Sequence, residues 1–381
     1  MKKLSIVYHY FAHYREPVLR ELCQSLSAKY HLELLADEKA EIPALKTIQL
    51  SDFCQDLCDY QKLRNIWLGP WLWQSGLLGA VLRNKSDVII FLGQFNFLST
   101  WLAVILARLL GKKTYFWSHG VYGNEGRLKG LIRVSFYRLA NGMLLYGNYS
   151  KDLLVGHGMS AENLHVIYNS LDYWQQKLLR NSKSEDCVRG IRRQLFGSSH
   201  SDCPYLLFVG RLTVVKRLDL LIRAIAQLKR QGHELNCLIV GEGPAGDQLH
   251  ELVNSELVDG QVRFYGACHN EKELSDLFYA ADACVAPGNV GLTAMHSLVY
   301  GTPVITHSDK CWQMPEFEAI VSGASGEFFE RDDLEDLIDK IKKLLERNVT
   351  DRGSVRRACY KIIDDKYNPV YQAGVIESVI E

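Results

Sequence analysis

The sequence lacks an excess of charge of either sign, since 44 Lys and Arg balance 44 Asp and Glu in 381 residues. This balance argues against a general nucleic-acid-binding protein, which usually carries a basic excess. The ten cysteines are scattered without a C-x-x-C pair, and no spacing of Cys and His matches a zinc site. We therefore expect reduced thiols and a cytoplasmic setting.

Long apolar runs are also absent. The most apolar stretch, 95–110, includes Asn96, Ser99, Thr100 and Arg108. It falls short of the ~20 apolar residues that a membrane-spanning helix needs. The start of the sequence has only a short apolar run at 4–8 and does not indicate a signal peptide.

Three ligand-binding motifs are missing. No G-x-G-x-x-G fingerprint follows the first predicted strand, and no G-x-x-x-x-G-K-[ST] loop occurs. No D-x-D pair follows a strand, so a site for a metal-bound diphosphate is not indicated. If the chain binds a diphosphate, we expect side-chain cations and main-chain amides to bind it, without a metal ion or other cofactor.

The sequence does contain alternating strand and helix patterns in two series. Apolar residues make up 47% of the chain, and its length favours two domains. We predict an α/β fold with two Rossmann-like parallel-sheet domains facing a central cleft. The predicted parts are a first domain at 1–170, a linker region at 171–203, a second domain at 204–365, and a helix at 366–381 that packs back on the first domain.

The loop after the strand at 205–209 is the most informative segment. Gly210, Arg211 and Lys216 lie between this apolar strand and a helix with apolar residues at helical spacing. In parallel sheets the carboxyl ends of the strands face the ligand, and helix N-termini with nearby cations favour phosphate. These residues are candidates for a diphosphate clamp. The alternative is an ordinary turn with solvated cations.

Three further loops follow strands of the second series. The first contains Glu242 and Gly243, and the second contains Gly266. The third is Pro287–Thr293, where the amides near Gly291 and the Thr293 hydroxyl are candidate phosphate ligands. Four such loops at one edge of the sheet indicate a ligand site more specifically than any single loop does.

Two segments of the first series are candidates for a substrate-facing role. His13, Tyr14 and Arg15 follow the first strand, and His119 follows the strand at 113–117. A loop in this position faces the ligand. The alternatives are an aromatic turn that covers a helix end and a capping or core histidine.

Two other segments of the first series are compatible with a bilayer surface. The tryptophan-rich stretch 66–73 is either an interfacial segment or a buried helix. Arg127, Lys129, Arg133 and Arg138 form either a face for anionic lipid or a solvated face.

The order of these motifs resembles that of the retaining family-4 glycosyltransferases, which have the GT-B fold. The resemblance is dense over 205–345, through Phe-Val-Gly-Arg-Leu (208–212), Val-Gly-Glu-Gly-Pro (240–244) and Tyr-Gly-Thr-Pro-Val-Ile (300–305). It is looser over the first half, through Trp-Ser-His-Gly (117–120). The resemblance implies that Arg211 and Lys216 bind the donor diphosphate and that His119 lies near the transferred sugar. Gly266 would lie near the base, and Gly291 and Leu292 would meet the phosphate or sugar.

The chain departs from this family at the E-x7-E motif. Counting back from Gly301, its two glutamates are replaced by Gly288 and His296. In the family the second glutamate accepts hydrogen bonds from the ribose. His296 has one neutral ring nitrogen to do so. Asn289, one position beyond Gly288, has an amide for the donor sugar.

We therefore expect a retaining glycosyltransferase that moves a sugar from a nucleoside-diphosphate sugar to a glycan or lipid-linked acceptor. The expected setting is surface polysaccharide synthesis, as in O-antigen or capsule, at the cytoplasmic face of the inner membrane. The alternatives are a sugar-nucleotide epimerase of the same fold and a non-catalytic nucleotide-binding relative. The donor's sugar and base, the acceptor and the linkage stay open.

Overall fold

The computed structural model describes residues 1–39, 46–55 and 57–381. Contacts between residues divide the chain into two compact units. The first unit is Met1–Asp172 together with Asn368–Glu381, and the second unit is Tyr173–Tyr367.

The first unit is built on a parallel sheet. Its strands and one hairpin are β1 (Lys2–Val7), β2 (Tyr30–Ala36), β3 (Asp59–Lys62), β4 (Arg64–Leu68), β5 (Trp71–Ser75), β6 (Val88–Leu92), β7 (Lys113–Ser118), β8 (Gly142–Leu145) and β9 (Leu164–Val166). Over the described residues the sheet has the order β3-β2-β1-β6-β7-β8-β9, and β4 pairs with β5 outside it. The order reverses between β1 and β6, so loops after these strands lie at the position where wound sheets bind ligands.

Helices cover both faces of this sheet. They are α1 (Glu16–Leu26), α2 (Leu50–Phe53), α3 (Leu77–Arg83), α4 (Leu98–Leu109), α5 (Arg127–Tyr137) and α6 (Asn148–Gly156). Alternate residues of the strands enter two separate cores, with Leu4 and Ile6 on one face and Val7 on the other. This alternation follows from the two-residue period of a strand.

The second unit has a similar plan. Its strands are β10 (Tyr205–Val209), β11 (Asn236–Val240), β12 (Val262–Gly266), β13 (Ala283–Ala286), β14 (Val304–His307) and β15 (Gly326–Phe329). The strands that the structure describes here are parallel in the order β12-β11-β10-β13-β14-β15. The helices are α7 (Tyr173–Asn181), α8 (Glu185–Phe196), α9 (Leu218–Arg230), α10 (Gly246–Ser255), α11 (Glu271–Ala280), α12 (Leu292–Val299) and α13 (Leu334–Asp365).

The last helix, α14 (Pro369–Ile380), belongs to the first unit. Ala373, Ile376 and Ile380 enter the same core as β1 and α1. The Tyr30 hydroxyl donates a hydrogen bond to the Ile380 carbonyl over 3.0 Å. Helix α14 thus packs on the sheet of the first unit as part of the same hydrophobic core.

Two segments differ from the sequence-based expectations. The tryptophan-rich stretch 66–73 forms most of the β4–β5 hairpin and is not a helix. Residues 171–203, expected to be a linker region, contain α7 and α8, which pack on α11 in the second unit. The long segment α13 has non-helical backbone angles at Asp351, where two helices meet at a kink.

Within the described residues, no helix combines the length and the apolar composition needed to cross a membrane.

Candidate functional site

Main-chain hydrogen bonds join the loops at the carboxyl ends of β10, β11 and β12. The Gly210 amide donates to the Val240 carbonyl over 2.9 Å, and the Leu212 amide donates to the Glu242 carbonyl over 3.0 Å. The Gly241 amide donates to the Gly266 carbonyl over 2.8 Å. The loops that carry Arg211, Gly243 and Gly266 therefore form one continuous surface. Glu242 is exposed on this surface, and its carboxylate lies beside Gly266.

Lys216 connects the loop after β10 to the turn after β13. Its Nζ donates to the Asn289 main-chain carbonyl over 2.7 Å and to Asn289 Oδ1 over 2.8 Å. Burial lowers the pKa of Lys216, and the Glu316 carboxylate opposes part of this effect. An ammonium group has three N–H donors, so one remains for a ligand. Asn289 thus holds the lysine in place.

Arg211 differs from Lys216 because its side chain is exposed. It makes no hydrogen bond or ion pair with any residue that the structure describes. A guanidinium has five N–H donors in a planar arrangement that matches phosphate. Arg211 is therefore available to an anionic ligand.

The turn after β13 leads into α12 at Gly291, which has a φ of 55°. The Gln313 side chain accepts a hydrogen bond from the Val290 amide over 3.0 Å and so fixes the turn. Leu292 is the first residue of α12 and is half-buried. The Thr293 hydroxyl donates to the Val209 carbonyl at the end of β10 over 2.9 Å. The predicted donation from this hydroxyl to a phosphate is therefore not possible in this conformation.

Gly288 lies against the main chain of the loop that carries Lys216. A Cβ at residue 288 would lie 1.9 Å from the Val215 carbonyl oxygen and 2.7 Å from the Lys216 Cα. The Gly288 amide donates to the Lys216 carbonyl over 3.0 Å. No side chain therefore fits at residue 288 unless this main chain moves.

His296 faces a carboxylate from α11. Its Nε2 lies 2.9 Å from Glu271 Oε1, which also accepts hydrogen bonds from Tyr300 and Gln176. Burial raises the pKa of Glu271, but the bonds from His296, Tyr300 and Gln176 outweigh it and lower the pKa to about 2. Glu271 is therefore ionised at neutral pH, and Nε2 is the donor. In the neutral ring, Nδ1 is then the nitrogen that can accept a hydrogen bond.

Replacing His296 with glutamate is expected to lower the free energy of unfolding at pH 7 by about 2–3 kcal/mol. The change would set two carboxylates side by side. One of them should take up a proton as the pH falls from 7 to 5, so the variant should gain stability over this range. Thermal unfolding at several pH values measures the effect.

His296→Gln is the matched control, because it keeps an N–H donor for Glu271. Wild-type Glu271 contributes its stabilisation fully above about pH 4.5 and loses it as the pH falls towards 2. Wild type and His296→Gln should therefore show no such gain between pH 7 and 5. Equal stability of the glutamate and glutamine variants at pH 7 would contradict this account of the pair.

The first unit gathers a cation and several aromatic rings at the carboxyl ends of β1, β7 and β8. The Arg15 guanidinium carbon lies 5.6, 5.4 and 5.1 Å from the ring centroids of Tyr14, Trp117 and Tyr146. Arg15 also donates a hydrogen bond to the Tyr146 hydroxyl. The His119 ring lies 4.7 Å from the Tyr146 ring. Arg15 and His119, both predicted from the sequence, therefore belong to one cluster.

His119 is neutral at physiological pH. Burial lowers its pKa to about 4, and the nearby Arg15 charge acts in the same direction. Its Nδ1 is buried and has no hydrogen-bond partner among the described residues. The ring can therefore accept or donate one hydrogen bond to a ligand. His13 lies at the exposed edge of this cluster, where its Nδ1 is 3.3 Å from the Lys46 carbonyl.

Several residues at these sites were not found from the sequence. Glu271, Tyr300 and Gln313 position His296 and the turn at 287–291, while Tyr8 and Tyr146 complete the cluster around Arg15. Tyr8 and Tyr146 directly follow strands β1 and β8, and this position could have marked them as ligand-facing in the sequence. Glu271 starts a helix and carries no such signal. Among the described residues, no group of three or more His, Cys, Asp or Glu is arranged to hold a metal ion.

Comparison with solved structures confirms the predicted fold class, and the chain has the GT-B fold. Anabaena HepE in complex with UDP matches with a TM-score of 0.72 at 18% identity, covering 100% of this chain and 99% of that chain. The lipopolysaccharide outer core galactosyltransferase WaaB matches with a TM-score of 0.71 at 15% identity, covering 100% and 99%. At these identities the similarity concerns the fold alone.

Sequence comparison finds a family model that matches most of the second unit, and relatives that match about half of the chain. Residues 193–361 match the family described as "Glycosyl transferases group 1". An uncharacterized glycosyltransferase of Methanocaldococcus jannaschii is 31% identical over 193 residues, which are 50% of this chain and 48% of that protein. D-inositol 3-phosphate glycosyltransferase 1 of Catenulispora acidiphila is 29% identical over 206 residues, covering 51% and 46%. The matches thus span about half the length of these relatives.

Proposed function

We propose that the chain is a retaining glycosyltransferase that moves a sugar from a nucleoside-diphosphate sugar to an acceptor. The observation that carries this proposal is the loop surface of the second unit. There Arg211 is exposed, and Lys216 is fixed by Asn289 next to the turn that starts α12. This surface lies in the region that matches the glycosyltransferase family.

In the proposed reaction, negative charge develops on the diphosphate as the bond to the sugar breaks. Arg211, Lys216 and the amides at the start of α12 stabilise this charge, and each such preorganised donor is worth about 10²–10³ in rate. No metal ion is proposed, because these groups supply the positive charge. The leaving phosphate oxygen takes the acceptor proton on the same face of the sugar, so the anomeric configuration is retained.

A uridine diphosphate sugar is the first donor to test. HepE, with the same fold, has been solved with UDP and with UDP-glucose. His296 would face the nucleotide ribose with Nδ1 as the acceptor, while Asn289 would meet the sugar. Glu242, Gly243 and Gly266 belong to the surface proposed for the nucleotide.

The acceptor is proposed to bind the first unit near His13, Tyr14, Arg15 and His119. We propose a glycan or lipid-linked acceptor in bacterial surface polysaccharide synthesis, as in O-antigen or capsule. WaaB and WaaG, two proteins of the same fold, act in lipopolysaccharide synthesis. The proposed setting is the cytoplasmic face of the inner membrane.

An exposed apolar face on the first unit supports contact with a membrane surface. Its leucines and isoleucines come from α4 and α5, namely Leu98, Leu102, Ile105, Leu109, Leu128, Leu131 and Ile132. The two helices are neighbours, since the Trp101 and Phe136 ring centroids are 4.8 Å apart. Neither helix contains Asp or Glu, whereas Arg108, Arg127, Lys129 and Arg133 are basic. Glu125 pairs with Arg133, and the apolar side chains beside the other cations fit an anionic bilayer surface.

The double change Leu102→Glu and Leu131→Glu is expected to weaken binding to phosphatidylglycerol vesicles at least about tenfold. Each leucine loses its apolar burial, and each new carboxylate is repelled by anionic lipid. Co-sedimentation with vesicles measures the effect. Leu178→Glu, an exposed leucine on α7 in the second unit, is the control and should bind like wild type. Equal binding of the double variant and the control would contradict the membrane proposal.

A thermal-shift screen of nucleoside diphosphates tests the donor proposal. A ligand at 100 times its Kd stabilises the folded chain by about 2.7 kcal/mol. We expect one base to give a clear shift, and Arg211→Ala should remove it. A chain that binds no nucleoside diphosphate would instead fit a scaffold role. Conversion of a sugar nucleotide without any acceptor would favour an epimerase.

A further inference from the structure

Arg15 is a half-buried cation without a carboxylate partner. Its guanidinium lies among the rings of Tyr14, Trp117 and Tyr146, and its one hydrogen bond with a described residue goes to the Tyr146 hydroxyl. No Asp or Glu within the described residues forms an ion pair with it. Charged groups removed from water are normally paired, because desolvation of an unpaired charge is costly. The charge of Arg15 is therefore not balanced by the protein around it.

Other buried arginines of the chain show the usual arrangement. Arg133 pairs with Glu125 in the first unit, and Arg180 pairs with Asp364 in the second. Arg192 and Arg352 both pair with Asp282. Arg15 has electrostatic contacts with phenol groups in place of a carboxylate, and those phenols are neutral at physiological pH because burial raises the pKa of Tyr8 and Tyr146.

Two buried polar atoms around Arg15 also have no hydrogen-bond partner among the described residues. They are Trp117 Nε1 and His119 Nδ1. Trp117 is 1% exposed, so bulk water does not satisfy its indole N–H. Such orphaned groups are rare in folded proteins and call for an explanation. A hydroxyl, an indole N–H and a guanidinium are all donors suited to oxygen atoms of an anion.

We propose that the cluster of Tyr8, Arg15, Trp117, His119 and Tyr146 binds an anionic group, a phosphate or a carboxylate, carried by the acceptor. The proposal rests on the glycosyl transfer proposed above. The guanidinium provides charge and a planar pair of donors, while the Tyr8 and Tyr146 hydroxyls and the Trp117 N–H add further donors. The acceptor would thus be a phosphorylated or acidic glycan, and a neutral sugar would leave the Arg15 charge unbalanced.

Titration of inorganic phosphate into the full chain tests the site. The titrations use the Arg211→Ala, Lys216→Met background, so that phosphate cannot bind the donor clamp. Arg15→Gln is expected to raise the Kd for phosphate at least about tenfold, since a hydrogen-bonded charge is lost. Arg20→Gln, an exposed arginine on α1, is the matched control and should leave the Kd unchanged. Unchanged phosphate binding in Arg15→Gln, or no phosphate binding in the background chain, would overturn the proposal.

Tyr8→Phe keeps the test valid if Arg15→Gln unfolds. It removes only one hydroxyl and keeps the ring, so the chain should stay folded. The Kd for phosphate should still rise by about 3–10-fold. A purely structural Tyr8 would instead leave the phosphate Kd unchanged, and this outcome would also contradict the proposal.

Titration of a nucleoside diphosphate into the wild-type chain and into the single variants Arg15→Gln and Arg211→Ala shows whether Arg15 binds an anion of the acceptor or the diphosphate of the donor. Arg15→Gln should bind it like wild type, whereas Arg211→Ala should not. An equal loss in both variants would show that Arg15 serves the donor, and the acceptor assignment would be wrong. If no chain binds a nucleoside diphosphate, the proposed glycosyl transfer fails, while the phosphate titration still reports on the Arg15 cluster.

Discussion

Replacing Arg211 with alanine is expected to lower kcat/KM for sugar transfer about 10²–10³-fold. The side chain is exposed and has no partner in the part of the chain that the structure describes, so its removal should leave the fold intact. The loss should appear in both KM and kcat, because Arg211 binds the diphosphate in the ground state and the diphosphate gains charge in the transition state. Steady-state kinetics with the donor found by thermal shift, together with a melting curve, measures both expectations.

Two variants sharpen this test. Arg223→Ala removes an exposed arginine on α9 and should leave kcat/KM unchanged. Lys216→Met keeps the aliphatic stem but removes the ammonium, so it should lose rate like Arg211→Ala and also some stability, since Asn289 loses two hydrogen bonds. Normal turnover in Arg211→Ala, with a correctly folded chain, would show that this loop is an ordinary turn.

Replacing Gly288 with alanine is expected to destabilise the second unit by about 3 kcal/mol or more. The new Cβ would overlap the Val215 carbonyl oxygen at 1.9 Å, so the turn at 287–291 or the loop that carries Lys216 must move. For a unit of about 200 residues this corresponds to a fall in melting temperature of roughly 10 °C. Nucleoside diphosphate binding should weaken as well, because Asn289 and Lys216 would separate.

Gly190→Ala is the control for this change. Gly190 lies in α8 with no atom near the position of a Cβ, so alanine there should stabilise the chain by about 0.5–1 kcal/mol. The two substitutions are chemically identical and should act in opposite directions. Gly288→Ala with a melting temperature like that of wild type would show that the turn is not held as described. The same overlap predicts that glutamate at residue 288 is tolerated no better than alanine.

The regular part of each sheet could be predicted from local patterns. The strands at 205–209 and 88–92 are short apolar runs that end in polar or glycine-containing loops, and helices such as α9 repeat apolar residues at helical spacing. The β4–β5 hairpin could not be predicted in this way. Its three tryptophans mask the alternation, and only the antiparallel pairing of Ile66 with Trp73 reveals it.

The candidate sites were predictable where a residue follows a strand. Arg211, Lys216, Arg15 and His119 do so directly or within a few residues, because parallel strands present their carboxyl ends to one edge. The partners that set their chemistry come from distant segments. Glu271 and His296 are 25 positions apart, and Arg15 and Tyr146 are 131 apart. No local pattern links such pairs, so the occupied Nε2 of His296 and the unpaired charge of Arg15 required the structure.

Nucleoside diphosphate release from a sugar nucleotide, followed with and without acceptor, tests the central claim most directly. The wild-type chain is expected to release the diphosphate only with an acceptor, to form a glycoside of unchanged anomeric configuration, and to lose this activity in Arg211→Ala. Release or isomerisation of the donor without acceptor, or equal release by Arg211→Ala, would contradict the account.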